Sequence, residues 1–158
     1  MKEEVDELNS IKLYNIARFL YRKKIKILPK LFYYLIFFIY NSIIPYTAIL
    51  GKGTRLNYGG IGVVIHKHAI IGEYVLIGTN VTIGGNFTSG KRPVIGNNVY
   101  VSTGAKILGV NIGNNVIIGA NCVVTKDVPD NSVVVGVPGR IIREINEEEA
   151  TFLNSQNS

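Results

Sequence analysis

The chain has 158 residues, 47% of them hydrophobic, and a mean hydropathy of +0.23, so one folded domain with a buried core is expected. Seventeen Lys and Arg against eleven Asp and Glu give a net charge of +6 and a pI near 9.4, a balance that suits a nucleic acid, an anionic membrane surface or a phosphorylated cofactor. Cys122 is the only cysteine, which excludes an intramolecular disulfide and points to a reducing, cytoplasmic compartment.

The first residues, MKEEVDELNS, lack the basic start and apolar run of a secretory signal, so no export is expected. From about Val5 to Ile44 glycine and proline are scarce, and Leu13, Ile16, Phe19 and Leu20 recur at helical spacing beside Arg18, Arg22, Lys23 and Lys24. Two helices are predicted, broken near Pro29, in an N-terminal helical segment of residues 1–45. The second, Leu31 to Tyr40, is apolar nearly all round, the pattern of a helix packed on the main domain or on a neighbouring subunit. The alternative is peripheral contact with a membrane interface, with Arg22, Lys23, Lys24, Lys26 and Lys30 facing anionic headgroups. The apolar run is shorter than the ~20 residues that span a bilayer, and no transmembrane helix is predicted.

At Pro45 the composition changes, and a period of six replaces the helical one as far as Gly139. Ile65, Ile71, Ile77 and Ile83 are six apart, as are Ile95, Val101 and Ile107, and again Ile112, Ile118 and Val124; each is predicted to open one short strand. One place later stands glycine at 72, 78, 84, 96, 113 and 119, where a sharp corner favours a residue without a Cβ. Four places later stands a small or β-branched residue: Ala69, Val75, Val81, Val99, Ala105, Val116, Cys122 and Val128. An amphipathic helix would repeat near 3.6, and a sandwich strand would alternate by two. A period of six is that of a mainly-β parallel β-helix, whose units bury their apolar side chains only by stacking. It is assigned here to residues 46–142. GGNFTSGKRPV, between Ile83 and Ile95, is predicted to leave the coil as a loop, and the five places from Ile107 to Ile112 make one rung short near Gly109. RIIREINEEEATF after Gly139 predicts a short acidic helix and LNSQNS disorder, residues 143–158 being an acidic tail.

The run from Ile71 to Gly139 resembles the hexapeptide-repeat acyltransferases, most closely their serine acetyltransferase-like branch. The resemblance is carried by GIGVVI (60–65), NVTIGG (80–85), KRPVIGNNV (91–99), GAKILG (104–109) and IIGANCVVTKDVPDNSVVVGVPGRII (117–142). It implies a left-handed coil of triangular section with about three hexapeptides per turn, a homotrimer, and acetyl-CoA as co-substrate in the groove between neighbouring subunits. Serine acetyltransferases carry an Asp-His pair just before the GVVI-like segment, and here Asn57, Tyr58 and Gly59 stand there. They tend to carry a histidine at the end of the loop, where this chain has Lys91, Arg92 and Pro93, and residues 1–45 stand in place of their larger helical domain. YGGIGVVIH (58–66) is similar to the form in members that acetylate sugars of lipopolysaccharide and capsule, and with the usual position empty the resemblance puts the base on His66.

His66 and His68 are the only histidines, and two places apart on a strand they project to one side. Neutral imidazole, with an unperturbed pKa of about 6.5, suits removal of a hydroxyl proton at cytosolic pH. Two catalytic readings stay open: His66 as the base, or His68, which holds the fourth place of its rung, where some hexapeptide enzymes place theirs. The non-catalytic reading makes both surface residues of a corner. Gly84 and Gly85 are candidate N–H donors to an oxyanion, or a simple exit into the loop. Carried over from the resemblance, the pantetheine arm passes Gly84, Gly85, Thr103 and Ala120, with Lys126 and Arg140 toward the phosphates and adenine. Cys122, at an inward place, is read as structural, and no metal is implied. The expected function is acetyl-CoA-dependent O-acetylation of a sugar hydroxyl in surface-glycan biosynthesis. Alternatives are serine or another small hydroxyl compound as acceptor, and a non-catalytic trimeric scaffold. Dispersed basic residues without a recognised motif argue against a nucleic-acid partner.

Overall fold

The computed structural model describes residues 9–86 and 90–155. Two helices, α1 (Ser10–Arg22) and α2 (Leu28–Tyr40), precede a parallel β-helix. Asn9 caps α1 by accepting from the Ile11 N–H at 3.0 Å. The break between the helices falls at 23–27, and Pro29 sits inside the first turn of α2, where its missing N–H would have no partner anyway. Asn41, in the left-handed region at φ 50°, ends α2.

The buried face of α1 is Ser10, Tyr14 and Ala17, whereas Ile16 and Phe19 of the expected stripe are exposed. The reason lies in the open end of the coil. At β1 (Ile49–Leu50) the Ile49 and Gly51 N–H groups donate down to the next turn, so the Ala48 carbonyl and Leu50 N–H face the other way. The Tyr14 hydroxyl donates to Ala48 O at 2.8 Å and accepts from Leu50 N at 3.2 Å, and Arg18 Nη1 donates to the Tyr46 and Ala48 carbonyls at 2.9 and 2.8 Å. Ser10 Oγ donates to Gly59 O at 2.6 Å. Polar groups on α1 thus satisfy a strand edge that would otherwise lie bare.

After β1 the chain forms β2 (Arg55–Leu56), β3 (Val64–Ile65), β4 (Ile70–Ile71), β5 (Leu76–Ile77), β6 (Thr82–Gly84), β7 (Val94–Ile95), β8 (Tyr100–Val101), β9 (Lys106–Leu108), β10 (Asn111–Ile112), β11 (Ile117–Ile118) and β12 (Val123–Val124), then β13 (Ser132–Val135) and β14 (Arg140–Glu144). They stack into three sheets, β1-β4-β7-β10, β2-β5-β8-β11-β13-β14 and β3-β6-β9-β12. All pairs are parallel except β13 with β14. The residues of the period of six hold the second place of their strands rather than opening them, and point inward with the small residues four places on; Ile83, Ile107, Ile118, Val81, Ala105 and Cys122 are all 0% exposed.

Apart from Gly84, the glycines after them are required by close approach, and none of them has a left-handed backbone. A Cβ on Gly72 would meet the Gly96 carbonyl oxygen at 2.5 Å, and one on Gly96 the Gly113 oxygen at 2.6 Å, so the glycines form a column in which each turn rests on the next. The left-handed corner positions belong instead to Asn80, Asn98, Asn115, Asn121 and Asn131, with φ of 52 to 56°. Next to one of these corners, side-chain oxygens of Asn97, Asn114 and Asp130 each accept a main-chain N–H of the turn above at 2.8 Å.

The expected C-terminal helix begins later than the sequence pattern suggests. Arg140–Glu144 pairs antiparallel with β13 as β14, which covers the outer edge of β13, and α3 spans Glu147–Ser155. Asn146 and Glu149 exchange side chain-to-backbone bonds at 2.8 and 3.0 Å, a capping box at the helix start. Arg143 grips Glu149 with two bonds of 2.6 and 2.7 Å and, with Asn146, holds its carboxyl down at about 2. Leu153–Ser155 are helical rather than disordered; the rest of the LNSQNS expectation, 156–158, lies outside the described residues.

Candidate active site

The corner that joins β3 to β4 is where the repeat departs from regularity. Down its length stand His66–His68, then the two ends of the predicted loop, 85–86 and 90–93, with 87–89 outside the described residues, then Leu108–Val110. The loop has a pinched neck: Asn86 N donates to Lys91 O at 3.0 Å, and Gly90 N to Asn86 O at 2.9 Å. The short rung supports it. Gly109 donates to Gly84 O at 2.8 Å in the left-handed region, φ 62°, and a Cβ there would press on the Asn86 N–H and stand 2.8 Å from Lys91 O. Gly109→Ala is therefore expected to cost about 1–3 kcal/mol in thermal or urea unfolding and to displace the loop neck.

His66 follows β3, its N–H donating to Ile83 O at 2.7 Å and its carbonyl accepting from Ala69 N at 2.9 Å. Its Nδ1 accepts from the His68 N–H at 3.2 Å, and the two imidazoles meet edge to face at 5.6 Å. His66 borders two cavities, as do Gly90 and Lys91. One, of about 400 Å³, is lined by Gly84, Gly85, Asn86, Lys91 and Leu108 among others; the second, of about 680 Å³, by His68, Lys91, Arg92 and Asn111. His66 lines both, and His68 only the second. In a two-substrate transfer the base takes a proton from one substrate and returns it to the other, so a group facing both spaces suits that role better than one facing a single space.

No Asp or Glu lines either cavity. Burial, then the charges of His68 and Lys67, hold the His66 imidazole below its ordinary 6.5, so the ring is neutral at cytosolic pH. With Nδ1 accepting, the neutral ring carries its proton on Nε2. Nε2 is also the nitrogen nearest Gly85, where an added Cβ would stand 3.4 Å from it. Base action through Nε2 needs the other tautomer and gives up the His68 bond; at 3.2 Å that bond is long, and its loss costs on the order of 1 kcal/mol. Gly85 lies one residue past β6, its N–H outside the strand ladder.

The remaining candidates are dispersed. Thr103 and Ala120 stand on the other border of the β3-β6-β9-β12 sheet, at the corners leading into β9 and β12, with Thr103 Oγ1 3.3 Å from Thr79 Oγ1. Lys126 follows β12 on the His66 corner but lines neither cavity, and Arg140 opens β14 and donates to the Gly139 carbonyl. Small residues thus border both sides of one sheet face, which leaves room for an extended thioester arm, but within one chain they do not form a single groove. Asn86, Leu108 and Asn111 line the cavities without having been singled out in the sequence; the missing residue near Gly109 was the available signal. Cys122 is fully buried, and burial raises its thiol pKa, which keeps it an inert thiol. Among the described residues no three His, Cys, Asp or Glu side chains are grouped to hold a metal ion.

No protein-family model matches the chain. It is 45% identical over 132 residues to a serine acetyltransferase of Synechococcus elongatus, covering 82% of this chain and 54% of that one. With a serine acetyltransferase of Bacillus pumilus it shares 36% identity over 152 residues, covering 94% of this chain and 70% of that one. The crystal structure of a serine acetyltransferase from Brucella abortus superposes with a TM-score of 0.81 at 35% identity, over 87% of this chain and 57% of that one, and the same enzyme has been solved with coenzyme A. One from Vibrio cholerae superposes with a TM-score of 0.82 at 31% identity, over 90% of this chain and 56% of that one. The chain spans just over half the length of most of these relatives.

Proposed function

Because the chain belongs to the serine acetyltransferase family, with its left-handed hexapeptide-repeat β-helix, we propose that it is an acetyl-CoA-dependent O-acetyltransferase in which His66 is the general base. The observation that carries this is the single neutral imidazole set between two cavities, with Gly84 and Gly85 on one side and the basic loop end on the other. Acetyl-CoA supplies an activated thioester. His66 accepts the acceptor's hydroxyl proton as that oxygen attacks the thioester carbon, and returns it to the departing thiolate as the C–S bond breaks. The Gly85 N–H is the candidate donor to the oxygen on which charge develops. Gly84, Gly85, Thr103 and Ala120 would hold the pantetheine arm, and Lys126 and Arg140 the phosphate end. A homotrimer fits this scheme, since it would bring the second border of a neighbour's sheet face to the His66 corner and make one groove of the two halves.

The relatives' names favour serine as acceptor over the sugar hydroxyl that the Tyr58–His66 motif implies. Two observations keep the sugar reading: no carboxylate lines the cavities to meet serine's ammonium group, and Asn57 and Tyr58 stand where the family's acid and histidine are expected. Thiol release from acetyl-CoA, measured across serine, free sugars and nucleotide sugars, decides between them. Turnover with serine alone removes the glycan reading, and turnover with a sugar alone removes the serine one. Failure to bind acetyl-CoA at all would leave a non-catalytic scaffold. The proposed setting is the cytoplasm, and a peripheral place on the inner face of the membrane would suit a lipid-linked glycan acceptor.

A further inference from the structure

α2 is apolar on two opposite faces, and the coil uses only one. Pro29, Ile36 and Tyr40 are buried, while Leu31, Tyr34 and Phe38, spaced three and four apart along the opposite side, are 53, 55 and 78% exposed. The stripe continues into the connection before the helix, where Ile27 is 80% exposed. Basic residues flank it: Arg22 at the end of α1, Lys23, Lys24 and Lys26 in the connection and Lys30 in the first turn of α2. From Leu8 to Gly72 the chain has no Asp or Glu at all. Beside the stripe a hollow of about 610 Å³ is lined by Tyr21, Ile25, Tyr46 and three lysines, Lys24, Lys26 and Lys30. No helix among the described residues is long and apolar enough to cross a membrane.

We propose that the α1–α2 hairpin is a docking surface for an anionic lipid bilayer, with Ile27, Leu31 and Phe38 entering the acyl boundary and Lys24, Lys26 and Lys30 receiving headgroup phosphates. Charge selects this occupant. A second copy meeting the same patch across a two-fold axis would bring two sets of lysines together with no acid to offset them, whereas an anionic surface neutralises the set. A nucleic acid would neutralise the lysines but leave Phe38 and Ile27 in water. Apolar side chains entering the interface beside a lysine cluster are the two signals that together give stable peripheral binding, each weak alone. The proposal stands apart from the catalytic one, since none of these residues lines the His66 cavities.

The test is co-sedimentation of the full chain with vesicles of phosphatidylcholine alone and of phosphatidylcholine mixed with phosphatidylglycerol. The intact protein is expected to pellet with the mixed vesicles only, and added salt to release it. Ile27→Asp and Phe38→Asp, at positions too exposed to hold the fold together, should each weaken binding by roughly tenfold. Lys24→Glu with Lys26→Glu should weaken it by well over tenfold, at about fivefold for each positive charge removed. Equal partition into both vesicle types, or no change in the Phe38 variant, would overturn the proposal. So would a protein that stays in the supernatant while sedimentation velocity shows an assembly that Phe38→Asp dissociates, because a second copy would then cover the face. Binding to an oligonucleotide in place of vesicles, lost with the lysines and kept in Phe38→Asp, overturns it as well.

Discussion

His66→Ala is expected to lower kcat/KM for acetyl transfer by ~10²–10⁴-fold, the usual contribution of a positioned general base, while His68→Ala costs far less. The contrast follows from position. His66 faces both cavities and approaches Gly85, whereas His68 faces one cavity, and the bond it gives to His66 Nδ1 comes from its main-chain N–H, which alanine keeps. The pH profile adds a readout that a merely structural role would not move. Protonation removes the lone pair that accepts the hydroxyl proton, so the rate falls as pH drops through the His66 pKa. Burial and the neighbouring His68 and Lys67 charges place that midpoint below the ordinary 6.5. In His68→Ala one of the two depressing charges is gone, and the acid limb should move up. A dead His68→Ala beside an active His66→Ala would transfer the base two residues along and leave the fold reading intact.

Ile83→Ala is expected to destabilise the protein by about 2–5 kcal/mol, the range for truncating a fully buried branched side chain in a close-packed core. Ile83 is 0% exposed and lies in register between Ile65 on the turn above and Ile107 on the turn below. The cavity has no easy way to collapse, because glycine contacts such as Gly72 on Gly96 hold the spacing of the turns rigidly. Ile83→Val, by the same reasoning, should cost about 0.5–1.5 kcal/mol. Denaturant unfolding of both variants checks the pair, and a loss for alanine no larger than for valine would show that the stack does not carry the coil. The effect reaches the site as well, since Gly84 and Gly85 follow Ile83 directly and its carbonyl accepts from the His66 N–H at 2.7 Å.

The departures from the sequence reading share a cause. Leu13 of the α1 stripe packs against the core, but Ile16 and Phe19 do not, because the first turn of the coil takes hydrogen-bond donors from the buried face, supplied by Tyr14, Arg18 and Ser10. RIIRE became a strand for the matching reason at the other end, where β13 had a free edge. The glycines stand where the period puts them, and at all but Gly84 the next turn leaves no room for a Cβ, while asparagines take most of the left-handed corners. At the site, Gly84 and Gly85 were legible as the exit into a loop and His66 through the family resemblance, but Asn86, Leu108 and Asn111 were not, since nothing in a single rung says which side chains of the rungs below reach the same corner.

What the sequence by itself determined is the coil. A period of six with an inward apolar residue and a small one four places on can bury itself only by stacking, so period alone selects the β-helix and names its core. What the tertiary structure decided is everything that depends on the ends of the stack and on contacts between turns: the face α1 buries, the strand at 140–144, the support Gly109 gives to the loop neck, and the placing of His66 rather than His68 between two cavities. The repeat specifies each turn through its own side chains. Edges and corners are specified by which groups the neighbouring turn leaves unpaired, and those are fixed only when the turns meet.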